Sequence, residues 1–198
     1  MKKKVMVLSA MLVTLCLAAT GCSFVTVVPI GQEAEYTGQK KFDSSEESRA
    51  DWDHVVAEIS EKAVDALEVL NAGTVTKAAA IKGTAKVATY DGEKSKKYLV
   101  LEIEGYTAEP AVLLQVGGPN STTAIRDVQT VNGFENFTNQ TEWSQYAKSL
   151  NKESASIVCD PLALDASCEG KTVSFVGAAV KSGTSTDTII TPVSLEVQ

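Results

Sequence analysis

The hydrophobic period of the chain changes at Asn71-Ala72-Gly73, from the roughly 3.6 residues of a helix to the roughly 2 of a strand. That change bounds what the chain can fold into. Before it, Trp52, Val55, Val56, Ile59, Ala63, Leu67 and Leu70 fall on one stripe when successive residues turn by about 100°, which predicts an amphipathic helix ending at Asn71. Ser48, with Asp51 three places on, resembles a capping box and marks the expected start. After it, residues 77–90, 98–104 and 111–116 alternate as strands do, with Leu99, Leu101 and Ile103 on one face. A second helix is expected over 140–150, where Trp143, Tyr146, Ala147 and Leu150 share a side. Strands over 172–180 and 189–197 follow, the latter placing Ile189, Thr191, Val193, Leu195 and Val197 together.

Strand, strand, strand, helix, strand, strand is also the order of an OB-type barrel, which carries its helix between the third and fourth strands. The expected fold class is therefore α+β, mainly β: an OB-like five-stranded barrel with an N-terminal amphipathic helix. Gly83 is the natural place for the long first strand to bend around the barrel. The hairpin links 91–97 and 181–187 then become the loops that flank an OB ligand face. A fold of this kind supplies no function by itself.

The N-terminus carries an address. Lys2, Lys3 and Lys4 precede an apolar run over 5–19, and a small-residue stretch closes on Gly21-Cys22. This is the layout of a signal peptide, with a run shorter than the roughly 20 residues needed to cross a bilayer. The cysteine after Gly21 resembles the lipobox of bacterial lipoproteins. Cleavage before Cys22 and acylation of it, with palmitate-type chains, are expected; more than one chain is needed for a durable hold. Residues 1–21 read as the lipoprotein signal peptide, 22–47 as a lipidated tether rich in Gly, Gln, Ser, Glu and Lys, and 48–198 as one globular domain. Fully extended at about 3.4 Å per residue, the stretch from Cys22 to Ser45 reaches roughly 80 Å. The short apolar run at 24–30 can also dock as a strand.

Charge excludes one class of partner. Of 18 Lys and Arg against 25 Asp and Glu, the signal removes three lysines and no acid, deepening the acidic excess. Such a surface repels phosphate backbones, so no nucleic-acid partner is expected. No phosphate-binding glycine loop, zinc ligand set, nucleophile elbow or dinucleotide fingerprint occurs, and neither metal nor cofactor is expected. His54, the single histidine, points away from the apolar stripe, on the solvent side. Three N-x-[ST] matches, at Asn120, Asn136 and Asn139, read as loop polar residues in a bacterial lipoprotein.

With Cys16 lost in the signal and Cys22 lipidated, Cys159 and Cys168 remain, in a compartment where disulfides persist. The pair predicts a structural disulfide, two free thiols being the alternative. A bridge closing so short a loop is worth about 3 kcal/mol in the chain-entropy account. The spacing is not that of a C-x-x-C redox centre.

Thr123-Ala124-Ile125-Arg126-Asp127, Phe134-Glu135-Asn136-Phe137-Thr138-Asn139-Gln140, Leu150-Asn151 and Gly170-Lys171-Thr172-Val173-Ser174-Phe175-Val176-Gly177-Ala178 follow one another along the chain, with Ile190-Thr191-Pro192-Val193 after them and Val28-Pro29-Ile30 near the anchor. In the order and spacing of these motifs the chain resembles the predicted periplasmic lipoproteins gathered as domain-of-unknown-function family 2291. That resemblance spans most of the mature chain. It implies a cell-envelope lipoprotein with an OB-like barrel, lipid-anchored on the outer side of the cytoplasmic membrane or in the periplasm, whose relatives are often encoded beside sugar-uptake transporters. No catalytic residue comes with it.

Within those motifs Arg126, Asp127, Asn139 and Gln140 are the candidate ligand-binding residues, with structural pairing and helix capping as the competing roles. The expected function is a non-catalytic accessory or binding protein associated with a sugar-uptake transporter component or a small solute. Trp143, Tyr146 and Tyr98 are available for stacking or for the core. The alternatives are an envelope hydrolase using Glu102 and Glu104, two carboxylates on one strand face about 7 Å apart, or a purely structural envelope lipoprotein.

Overall fold

A computed structural model describes Val28 and residues 42–198, apart from Thr74, Thr76, Lys94, Ala108 and Thr184. The signal peptide, Cys22 and all of the expected tether but Val28 and residues 42–47 lie outside the described residues.

Helix α1 (Ser44–Lys62) starts four residues before the expected capping box. The carboxylate of Asp43 accepts from the backbone N–H of Ser45 at 2.9 Å and of Glu46 at 3.2 Å. Glu46 and Glu47 add negative charge at the positive end of the helix. Ser48 is therefore interior and buried, its hydroxyl donating to Ser45 O at 3.3 Å. The helix also stops short of Asn71. Val64–Asp65 forms a two-residue strand, β1, and Asp65 then caps a separate helix α2 (Ala66–Asn71) by accepting from Leu67 N at 2.8 Å. One continuous stripe became two helices because Asp65 offers a fresh cap while Val64 pairs with Ile81.

The strands are β2 (Ala79–Asp91), β3 (Lys97–Glu102), β4 (Val112–Gly117), β5 (Thr172–Lys181) and β6 (Thr188–Val197). Their pairing order β2-β3-β4-β6-β5 returns to β2, closing a five-stranded barrel, and β1 adds to β2 in parallel. Closure depends on the length of β2. Its residues 79–86 pair with β5 and its residues 86–91 with β3, with a register irregularity between Val87 and Thr89. Gly83, opposite Phe175, is a point of close packing: a Cβ there would lie 3.2 Å from Ala66 Cβ and 3.3 Å from the Phe175 ring. The link between β4 and β6 is parallel, and the other barrel pairings are antiparallel.

Leu99, Leu101, Val112, Leu114, Val173 and Phe175 fill the barrel. Each fully buried aliphatic side chain of this size contributes roughly 1.5–3 kcal/mol. Between β4 and β5 the chain forms α3 (Ala124–Val128), a 3-10 turn (Phe134–Asn136) and α4 (Gln140–Glu153). The chain then widens into a π turn (Ser154–Cys159), with 3-10 turns at Asp160–Leu162 and Ala166–Cys168. α1 packs along α4 and over β2 and β5, burying Trp52, Val55, Ile59, Tyr146 and Leu150 in a second apolar layer outside the barrel. The first half of β6 is buried on both faces because the π turn covers its outer side, so strict alternation holds only toward its end. Among the described residues no helix is long and apolar enough to cross a membrane.

Candidate functional site

A cleft of about 340 Å³ opens at one end of the barrel. Three distant pieces of chain make it: the end of α2, the loop joining β3 to β4, and the hairpin joining β5 to β6. Gly73, at φ +89°, turns the chain away from α2 so that Leu70 and Val75 form an apolar floor. Tyr106 forms a wall, its hydroxyl held by donation to Pro110 O at 3.1 Å. The hairpin is fastened from both sides: Thr188 N donates to Ala111 O at 3.0 Å, and Ala111 N to the Asp187 carboxylate at 3.2 Å. On the rim stand exposed Lys181 and Glu109, with Thr186 beside them. An apolar floor, one aromatic wall and a few polar rim groups are the make-up of a small-molecule site, here at the small end of the usual size range. Of the two hairpins expected to flank an OB ligand face, the one over 181–187 lines this cleft and the one over 91–97 does not.

The four sequence-selected residues lie elsewhere, beside α3 and at the start of α4. Arg126 donates from Nε at 2.8 Å and Nη2 at 2.6 Å to the same oxygen of Asp127, and its guanidinium lies 4.8 Å from the centre of the Trp143 ring. The other Asp127 oxygen accepts from Thr123. Asn139 is the N-cap of α4, accepting from Thr141 N at 2.9 Å and Glu142 N at 3.0 Å, and Gln140 is the exposed first residue of that helix. Arg126 and Asp127 thus engage each other, and the Asn139 side-chain oxygen is spent on its cap. Trp143 and Tyr146 belong to an aromatic cluster with Phe134 and Phe137, and Tyr98 is half-buried on β3.

Glu102 and Glu104 line a shallow groove together with Lys86, which pairs with Glu102 in register. Both carboxylates are exposed, and β3 ends at Glu102, so Glu104 stands on a turn and not on the strand face that the alternation predicted. Gly105, at φ +85°, drives that turn. His54 is exposed, and no cluster of three or more His, Cys, Asp or Glu that could hold a metal occurs among the described residues.

The expected bridge between Cys159 and Cys168 is not formed: both are buried free thiols. Each is tied to a different strand. Cys159 Sγ donates to Gln115 O of β4 at 3.9 Å, whereas the turn holding Cys168 is fastened to β2, Gly170 N donating to Val87 O at 2.8 Å. Burial, and then the nearby Asp160 carboxylate, push the Cys159 thiol up to about 12, and burial raises Cys168 too.

Comparison with solved structures found an OB-fold protein from Thermotoga maritima, 19% identical, with a TM-score of 0.57 over 80% of this chain and 100% of that one. At this identity the likeness shows the fold. Comparison with curated proteins found no match. The family model for predicted periplasmic lipoproteins matches residues 12–196, nearly the whole chain. The chain belongs to that family, DUF2291, whose members are cell-envelope lipoproteins of unknown function.

Proposed function

We propose that this protein is a lipid-anchored, non-catalytic accessory protein that takes a small polar solute, a sugar being the class expected, in the cleft beside Lys181. We further propose that it works with a solute-uptake transporter in the same envelope. The observation that carries this reading is the cleft itself: an apolar floor at Leu70 and Val75, an aromatic wall at Tyr106, and rim groups of both charges. A tyrosine ring offers a stacking face to the C–H side of a sugar, while Lys181, Glu109 and Thr186 offer donors and acceptors to its hydroxyls. The anchor expected at Cys22 would hold such a site near the membrane at the end of its tether.

The groove at Glu102 and Glu104 supports a hydrolase less well, because nothing buries either carboxylate and Glu104 is outside the strand that would fix their spacing. Arg126 and Asp127 offer a ligand only the exposed part of Asp127, since the guanidinium is taken up by Asp127 and Trp143.

The test is calorimetric titration of the mature chain in detergent with a panel of monosaccharides, repeated on Lys181→Ala and Glu109→Gln. Saturable binding that both variants weaken about tenfold or more at unchanged melting temperature supports the cleft. Absence of binding across the panel, or binding indifferent to both changes, overturns it.

A further inference from the structure

The parallel ladder between β4 and β6 ends at Leu114↔Ile190. The next residues on each strand, Gln115 and Thr191, are both buried polar residues. Where the strands part they border a pocket of about 10 Å³, walled also by Asn120, Asn151, Ser154 and Cys159.

Asn151 is only 5% exposed, and its amide is used on one side alone. Nδ2 donates to Thr122 O at 2.8 Å and to Asn120 O at 3.4 Å, whereas Oδ1 is buried with no hydrogen-bond partner among the described residues. Turning the amide over does not help, because Oδ1 would then face both carbonyls. A buried carbonyl oxygen without a donor is costly, and native proteins rarely leave one so.

Each neighbouring side-chain donor already serves another acceptor, and neither the Asn120 nor the Gln115 amide reaches Asn151 Oδ1. Asn120 Nδ2 donates to Thr191 Oγ1 at 2.9 Å, and Thr122 and Thr191 share a hydroxyl contact of 3.2 Å. Ser154 Oγ spends its proton on Pro192 O at 2.5 Å, and Gln115 Nε2 donates to Pro119 O at 3.1 Å. Ser154 Oγ therefore has only lone pairs left to offer. A guest must bring hydrogens to these oxygens and fit a space about the size of one water probe. The residues lining the pocket carry no carboxylate, so a metal cation would lose its hydration shell with no counter-charge to replace it.

We infer that this pocket is a binding site for one integral water molecule, which donates to Asn151 Oδ1 and to Ser154 Oγ. It sits where β4 and β6 part and joins Asn151 to Ser154 at the end of α4.

A high-resolution crystal structure of the mature chain is the first test. The expected result is one fully occupied solvent peak within hydrogen-bond distance of Asn151 Oδ1. An empty pocket, a protein donor turned onto Oδ1, or an anomalous signal there after soaking with rubidium would each overturn the assignment. In solution, oxygen-17 relaxation dispersion counts long-lived buried waters. The count is expected to fall by one in Asn151→Leu, and an unchanged count in a folded variant overturns it. If Asn151→Leu does not fold, Ser154→Ala takes its place with the expectation of a shortened water residence time, unchanged residence being the contrary result.

Discussion

The Tyr146 hydroxyl donates to Asp51 Oδ2 at 2.8 Å, joining α4 to α1, and Asn132 Nδ2 donates to the same oxygen at 2.9 Å. Tyr146 is fully buried, so its phenol must find a partner inside the fold, and a carboxylate one helix away supplies a charge-assisted one. Tyr146→Phe is expected to cost about 1–2 kcal/mol in urea unfolding, the low side for a bond to a charged group because Asp51 keeps Asn132. An unchanged midpoint would show that the contact is not formed.

The same pair predicts an alkaline limb. Burial first, then the Asp51 hydrogen bond and charge, hold the Tyr146 phenol above its ordinary value of 10.0. A group raised in the folded state contributes stability that is fully present below about pH 10 and lost as pH rises beyond it. Melting temperature is expected to fall above about pH 10 in the native chain and to fall less in Tyr146→Phe. Parallel curves would rule out this coupling.

At the acid end Glu58 is a contributing group. Burial pulls its carboxyl upward, but hydrogen bonds from Lys62 and from Thr130 outweigh that and set it below 4.5. Its contribution is present above about pH 4.5 and is lost as pH falls through the lower folded value. Glu58→Gln is expected to flatten the acid limb of a stability profile; an unaltered limb would place the titration elsewhere. Glu58 Oε2 also accepts from Thr130 N at 2.8 Å, so the variant loosens the seam between α1 and the loop after α3.

Gly177 sits at the register shift between β5 and β6, where an added Cβ would lie 2.6 Å from Thr191 O and 3.0 Å from Pro192 Cα. Backbone cannot yield as a flexible side chain can, so Gly177→Ala is expected to destabilise by about 2–3 kcal/mol. Gly170, where nothing lies within 4 Å of an added Cβ, gives the comparison: its φ of +79° is the penalty there, and about 1 kcal/mol is expected for Gly170→Ala. Equal effects at the two sites would contradict the packing argument.

Buried, protonated thiols react slowly. Alkylation of the mature chain without reductant is expected to leave Cys159 and Cys168 unlabelled when native and to label both once unfolded. Absence of label after unfolding would mean that they are bridged.

Every barrel strand was legible to within about two residues, because alternation of apolar positions survives wherever one face is wet. Asn139 was legible as a cap, since a helix start needs an acceptor for its free N–H groups. The break between α1 and α2 was not: Ala63, Leu67 and Leu70 stay on the stripe of Trp52 and Val55, and the two-residue strand at Val64 exists only through Ile81. The cleft was legible only through its hairpin. Leu70, Tyr106 and Lys181 meet by barrel closure, and no local pattern announces contacts between residues so far apart in the chain. The buried state of Cys159 likewise depends on Gln115 O, a partner outside any short window.

The accessory role is tested most directly by crosslinking the lipidated chain in its native cells, purifying it and identifying its companions by mass spectrometry. The account predicts recovery of a solute-uptake permease or binding component, lost in a control that keeps the anchor but lacks residues 48–198. Recovery of the chain without any such component, under conditions that capture known envelope complexes, would contradict it.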